Sequence, residues 1–107
     1  MILAALALAV APAPADVLGL GTKSCGNWTA AAREDGWPRI AYHAWLGGFI
    51  SGINLNISGT NGNLNEGTDF AGMAAWVDNY CVAHPLDNVD SAAVSLAIEI
   101  LNKKKPR

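Results

Sequence analysis

The sequence predicts an all-α fold, a small four-helix bundle with one disulfide between Cys25 and Cys81. Three observations predict it. Apolar residues recur at spacings of three and four in separate segments, no segment alternates as a strand does, and two cysteines stand far apart in a chain of 107 residues.

In chain order, Ile2 to Ala11 is an unbroken run of Ile, Leu, Ala and Val that ends in Pro12-Ala13-Pro14-Ala15. Ala13 and Ala15 give the small-x-small pattern that a signal peptidase accepts, although no basic residue follows Met1. Residues 1–15 therefore read as a cleaved export signal. The run falls short of the roughly 20 residues a bilayer span requires, so no stable membrane span is expected. Residues 16–107 then form one domain of 92 residues, with limited core area.

A first short helix is expected from Ser24, its cap, to Arg33, with Trp28, Ala31 and Ala32 facing inward. Glu34-Asp35-Gly36-Trp37-Pro38 breaks it. A second helix from Arg39 to Leu55 places Ala41, Trp45, Gly48 and Gly52, and also Tyr42, Leu46, Phe49 and Ile53, at helical spacing. Glycine inside a helix costs about 1 kcal/mol against alanine. Gly48 and Gly52 are thus expected to make room for another helix of the same domain.

Residues 56–67, rich in Asn and Gly and containing the Asn61-Gly62 turn signal, read as a loop. Thr68 or Asp69 then caps a third helix with Phe70, Met73, Val77 and Tyr80 along one stripe and Cys81 beside it. His84 precedes Pro85 and closes that helix. Asp87 or Asn88 caps the last one, which buries Val89, Ala93, Leu96 and Ile100 and runs into a basic tail, residues 102–107, read as solvated.

A bond between Cys25 and Cys81 would close a loop of 55 intervening residues. Chain entropy sets its contribution near 4 kcal/mol, against a total folding stability of about 5–15 kcal/mol. Neither cysteine has the paired spacing zinc uses, nor an adjacent His or basic residue to activate a thiolate. A structural disulfide needs an oxidising compartment, so the expected location is periplasmic or secreted.

The net charge is −2, yet Lys103, Lys104, Lys105 and Arg107 hold four of the seven basic residues. The rest of the chain carries three basic against nine acidic residues, which argues against nucleic acid as a partner.

These residues now support a comparison. A Cys soon after the signal, then Trp45-Leu46-Gly47-Gly48-Phe49-Ile50-Ser51-Gly52, then Tyr80-Cys81 with His84-Pro85 and an Ala-rich last helix together resemble the HdeA/HdeB family. The resemblance covers roughly Lys23 to Leu101. It implies a small periplasmic helical protein with one disulfide, acting as an acid-stress chaperone that holds unfolded clients at low pH. Periplasmic immunity proteins that neutralise type VI secretion effectors look similar through the Gly-rich second helix and the His-Pro turn. That implies the alternative, an inhibitor of one toxin; an exported protein with a structural role is the third reading.

An acid switch has material to work with. Protonating all nine carboxylates takes the side-chain charge from −2 to +9 with both histidines charged, enough to repel a dimer or loosen packing. Asp69, Asp78, Asp87, Asp90 and Glu99 are the candidate switch carboxylates. Trp37, Trp45, Phe49 and Trp76 are the candidate partner-binding residues, because tryptophans dominate binding hot spots and a core this small cannot bury all four. Trp37, flanked by Gly36 and Pro38, is the chosen exposed contact. The expected partner is another protein, with a homodimer as a further state.

Enzyme chemistry finds little support. His43 has no serine or cysteine elbow beside it, Asp78 and Asp87 lack the spacing of a paired acid site, and no phosphate loop, zinc pattern or nucleotide fingerprint occurs. The chain reads as a non-enzyme with no metal and no cofactor.

Overall fold

The computed structural model describes residues 16–57, 59 and 62–104. The expected export signal, Asn61 of the expected turn and residues 105–107 of the tail lie outside the described residues.

Among the described residues there are four helices, α1 (Cys25–Ala32), α2 (Trp37–Ile57), α3 (Phe70–Ala83) and α4 (Val89–Lys104), preceded by a 3-10 turn at Gly19–Thr22. Among the described residues there is no strand, only a single antiparallel bridge between Ser24 and Asn88. Helix starts follow the caps. Ser24 accepts a hydrogen bond from the Asn27 amide at 3.1 Å, and Asp69 accepts one from the Gly72 amide at 2.8 Å. At the end of α3, His84 donates its backbone N–H to Tyr80 O at 2.9 Å.

The core lies where the four helices meet. Trp28 from α1, Leu46 from α2, Val77 from α3 and Val89 and Leu96 from α4 are buried together. The Cys25–Cys81 disulfide ties the start of α1 to the end of α3. Cys25 N–H to Asp87 O at 2.6 Å and Val89 N–H to Lys23 O at 2.8 Å fasten the same corner to the α3–α4 turn. This is an all-α bundle with one disulfide.

Four details differ from the sequence reading. Helix α2 starts at Trp37, because a proline in the first helical turn forfeits no intrahelical bond and Pro38 already has the right φ. It ends at Ile57, where Asn56 folds its amide back onto Gly52 O at 2.9 Å. The loop is anchored: Leu64 is fully buried, and its N–H donates to Asn54 Oδ1 at 2.7 Å. The start of the basic tail is helical, since α4 extends to Lys104. Lys103 pairs with Glu99 at 3.2 Å, and Lys104 donates to Asn63 O at 2.6 Å and pairs with Glu66 at 3.3 Å.

The fourth correction concerns the glycines. Among the described residues nothing packs against Gly48 or Gly52; a Cβ at either would meet nothing within 4 Å. The space they leave is open to solvent.

Candidate partner-binding surface

Helix α2 is apolar on two sides, and among the described residues only one is packed. Its inner side buries Tyr42, Leu46 and Ile50. At 3.6 residues per turn each residue advances the helix by about 100°, which brings Trp37, Ile40, Ala44, Gly48 and Leu55 within about 60° of one line on the opposite side. Trp37 is 75% exposed, Ile40 57% and Leu55 85%. Ser51, on the same side, turns its hydroxyl onto Gly47 O at 2.8 Å. From Ile40 to Asn65 the sequence has no Asp, Glu, Lys or Arg. A helix with apolar residues all round is ordinarily covered all round.

One edge of this face is aromatic. Trp45 and Phe49 stack with ring centroids 5.3 Å apart, and both are half-buried. Trp45 donates its indole N–H to Leu18 O at 2.9 Å. Gly21 of the 3-10 turn lies so close to the Trp45 ring that a Cβ there would collide with it.

The structure therefore places three candidate binding residues on one helix: Trp37 on its outer side, Trp45 on its flank and Phe49 partly buried toward the packed side. Trp76 is elsewhere. It sits half-buried on α3, stacked on Tyr80 at 5.6 Å, and lines a cleft of about 430 Å³ with Met73, Leu96, Ile100 and Lys103. Tyr80 in turn stacks on His84 at 4.3 Å.

The candidate switch carboxylates are spread over the bundle. Asp78 accepts the Trp28 indole N–H at 2.7 Å, and Asp87 accepts the Tyr80 hydroxyl at 2.6 Å. The Asp87 bond is the largest of the effects on the Tyr80 phenol, which titrates above its ordinary value. Asp69 caps α3, Asp90 lies in the first turn of α4, and Glu99 pairs with Lys103. No common site gathers them.

His43 is half-buried beside the core. Its ring lies 5.7 Å from Trp28 and 5.6 Å from Phe70. Burial lowers its pKa from the ordinary histidine value, Arg39 lowers it further, and Asp78 acts in the opposite direction. The imidazole is therefore held toward its neutral form.

Ile40 and Leu55 were missed in the sequence, as was a second apolar patch at the α3–α4 turn, Val82 and Leu86, both exposed. The signal for the first pair was present: a long helical segment without Asp, Glu, Lys or Arg has no charged face to turn to solvent. Among the described residues no helix is long and apolar enough to cross a membrane. Compared with known proteins, the chain matches no family model, no curated protein and no solved structure.

Proposed function

We propose that the chain is an exported protein-binding module without catalytic activity, and that its contact element is the outer face of α2. One observation carries this reading: Trp37, Ile40 and Leu55 lie exposed along the side of α2 opposite its packed face. Tryptophan is among the residues that most often anchor a protein interface. The disulfide and the apolar run before Asp16 support export to an oxidising compartment.

The partner class divides in two. The HdeA/HdeB resemblance and the neutral, half-buried His43 support an acid-stress chaperone, because protonation at low pH works against the packing of α1, α2 and α3 around that ring. A preformed surface on a bundle whose α1 and α3 are tied by a disulfide supports a dedicated inhibitor of a single toxin.

The deciding experiment follows light scattering of an aggregating client, with ANS fluorescence, from pH 7 to pH 2 in the presence of the oxidised protein. Reversible ANS binding and suppressed scattering below about pH 3 support the chaperone. A closed fold and an unprotected client move the reading to a dedicated binder, tested by affinity at neutral pH. Binding that survives the triple change Trp37→Ser, Ile40→Ser, Leu55→Ser removes α2 from either account.

A further inference from the structure

We infer that the cleft between α3 and α4 binds a small anion with an apolar body, of the class of a medium-chain carboxylate. Its chain lies along Trp76 and its carboxylate meets Lys103. The site stands apart from the outer face of α2, which contributes no residue to the cleft among those described.

The apolar body is argued from the floor and walls. Met73 and Leu96 are buried at the base, and Trp76 and Ile100 are half-buried beside them. The volume, about 430 Å³, falls within the roughly 300–1,000 Å³ of pockets that take small organic ligands. Trp76 is already held by its stack on Tyr80 at 5.6 Å, so the wall exists before a ligand arrives and little ordering is left to binding. Gly72 keeps the cleft open at the first turn of α3. A Cβ there would stand 2.9 Å from the hydroxyl of Thr68, another residue of the rim.

The charge is argued from the rim, where Lys103 and Lys104 stand with Glu99 and Glu66. The two lysines are held differently. Lys104 is largely covered; it donates to Asn63 O at 2.6 Å and pairs with Glu66 at 3.3 Å, which fastens the loop that forms one side of the cleft. Lys103 is mostly exposed and pairs with Glu99, one turn back on the same helix, at 3.2 Å. A solvent-exposed pair of this kind gives up little when one partner is exchanged. An incoming carboxylate can therefore take the Lys103 ammonium from Glu99 at small cost. The chain beyond Lys104 adds Lys105 and Arg107 within a reach of about 11 Å. Four cations thus serve this end of a protein whose net charge is −2, against two carboxylates on the rim. An apolar cation would meet the opposite field, and a neutral chain would gain nothing from Lys103.

The test is an NMR titration of the oxidised, isotope-labelled protein with octanoate at pH 7. Octanol and octyltrimethylammonium carry the same chain without charge and with the opposite charge. Saturable shifts are expected at the Trp76 indole and at the Leu96 and Ile100 methyls, with octanoate bound several-fold more tightly than either analogue. Lys103→Met should weaken octanoate about three- to tenfold and leave octanol unchanged. Glu99→Gln, which frees the ammonium, should tighten octanoate. Both side chains lie at the surface, so both variants keep the fold. Absence of saturable shifts at the cleft overturns the inference, as does equal binding of the three compounds or a Lys103→Met variant that binds octanoate like the parent protein. Shifts gathered instead at Trp37, Ile40 and Leu55 overturn it too, while leaving α2 in place as the contact element.

Discussion

The indole N–H of Trp28 donates to Asp78 Oδ1 at 2.7 Å, joining residues 50 positions apart and tying α1 to α3 inside the bundle. Trp28 is buried, so this bond decides whether its one polar atom is satisfied. Asp78→Ala removes the acceptor and strands the donor, at a cost of about 1–3 kcal/mol. Asp78→Asn keeps an oxygen that can accept and should cost clearly less. Urea unfolding at pH 7 measures both. Equal losses for the two variants would mean that the charge, and not the bond, holds α1 to α3.

His43 gives the fold a pH dependence whose sign is fixed by its environment. Its folded pKa lies below the ordinary value of about 6.5, so in the range between the two the unfolded chain binds more protons. The contribution to stability is complete above pH 6.5 and is lost as pH falls through that value toward the folded pKa. The unfolding midpoint should therefore drop between pH 7.5 and pH 5, and His43→Gln should flatten that part of the curve. An unchanged slope in His43→Gln would assign the effect to other groups. Asp78→Asn, which removes the influence opposing the shift, should lower the His43 pKa further in an NMR titration.

Leu64 is the hydrophobic anchor of the 56–67 loop. It lies between Asn63 and Asn65 in a segment that reads as a loop, yet has no accessible surface in the fold. Leu64→Ala should cost about 2–5 kcal/mol, the range for a leucine truncated in a core. Lys104→Met should cost less, since it removes only the ammonium that holds Asn63 O and Glu66. Thermal melts of both variants test this ranking. A Leu64→Ala variant as stable as the parent protein would show that the loop is not part of the cooperative unit.

These residues show where the sequence was readable. The four helices were legible because their apolar residues keep one period and because Ser24 and Asp69 announce two of the starts. Leu64 was not, since a lone apolar residue among asparagines has no periodicity and its burial depends on Asn54 and Lys104, distant in the chain. Trp37 was legible as an exposed aromatic, but not as part of a helix, because Pro38 marks a break or a first turn with equal force. Gly48 and Gly52 read as room for another helix of the domain, yet among the described residues nothing fills it, because spacing records the room beside a helix and not whether it is occupied.

Tyr80 should show a raised phenol pKa, caused chiefly by its hydroxyl bond to Asp87 and opposed by a bond to Ser95. Its neutral form is favoured in the fold, so the stability it lends is present below pH 10 and declines as pH rises through its folded pKa. Tyrosinate absorbance in a Tyr42→Phe background isolates this group, because burial also raises Tyr42. Asp87→Asn should return the transition toward the ordinary value. A titration that does not move in Asp87→Asn would place the cause elsewhere.

Two glycines make opposite demands on the same chemistry. Gly52 lies inside α2 with nothing within 4 Å of the place a Cβ would occupy, so Gly52→Ala gains helix propensity without a collision. It should stabilise the single chain by about 1 kcal/mol. Gly21 lies under Trp45, where a Cβ would run into the indole ring. Gly21→Ala must therefore displace that ring, whose N–H is held by Leu18 O and whose face stacks on Phe49. Overpacking of this kind costs about 1–3 kcal/mol. Unfolding midpoints at low protein concentration should move up for Gly52→Ala and down for Gly21→Ala. If Gly21→Ala is neutral, the 3-10 turn yields to the added methyl, and the Trp45–Phe49 edge of the α2 face is softer than its contacts imply.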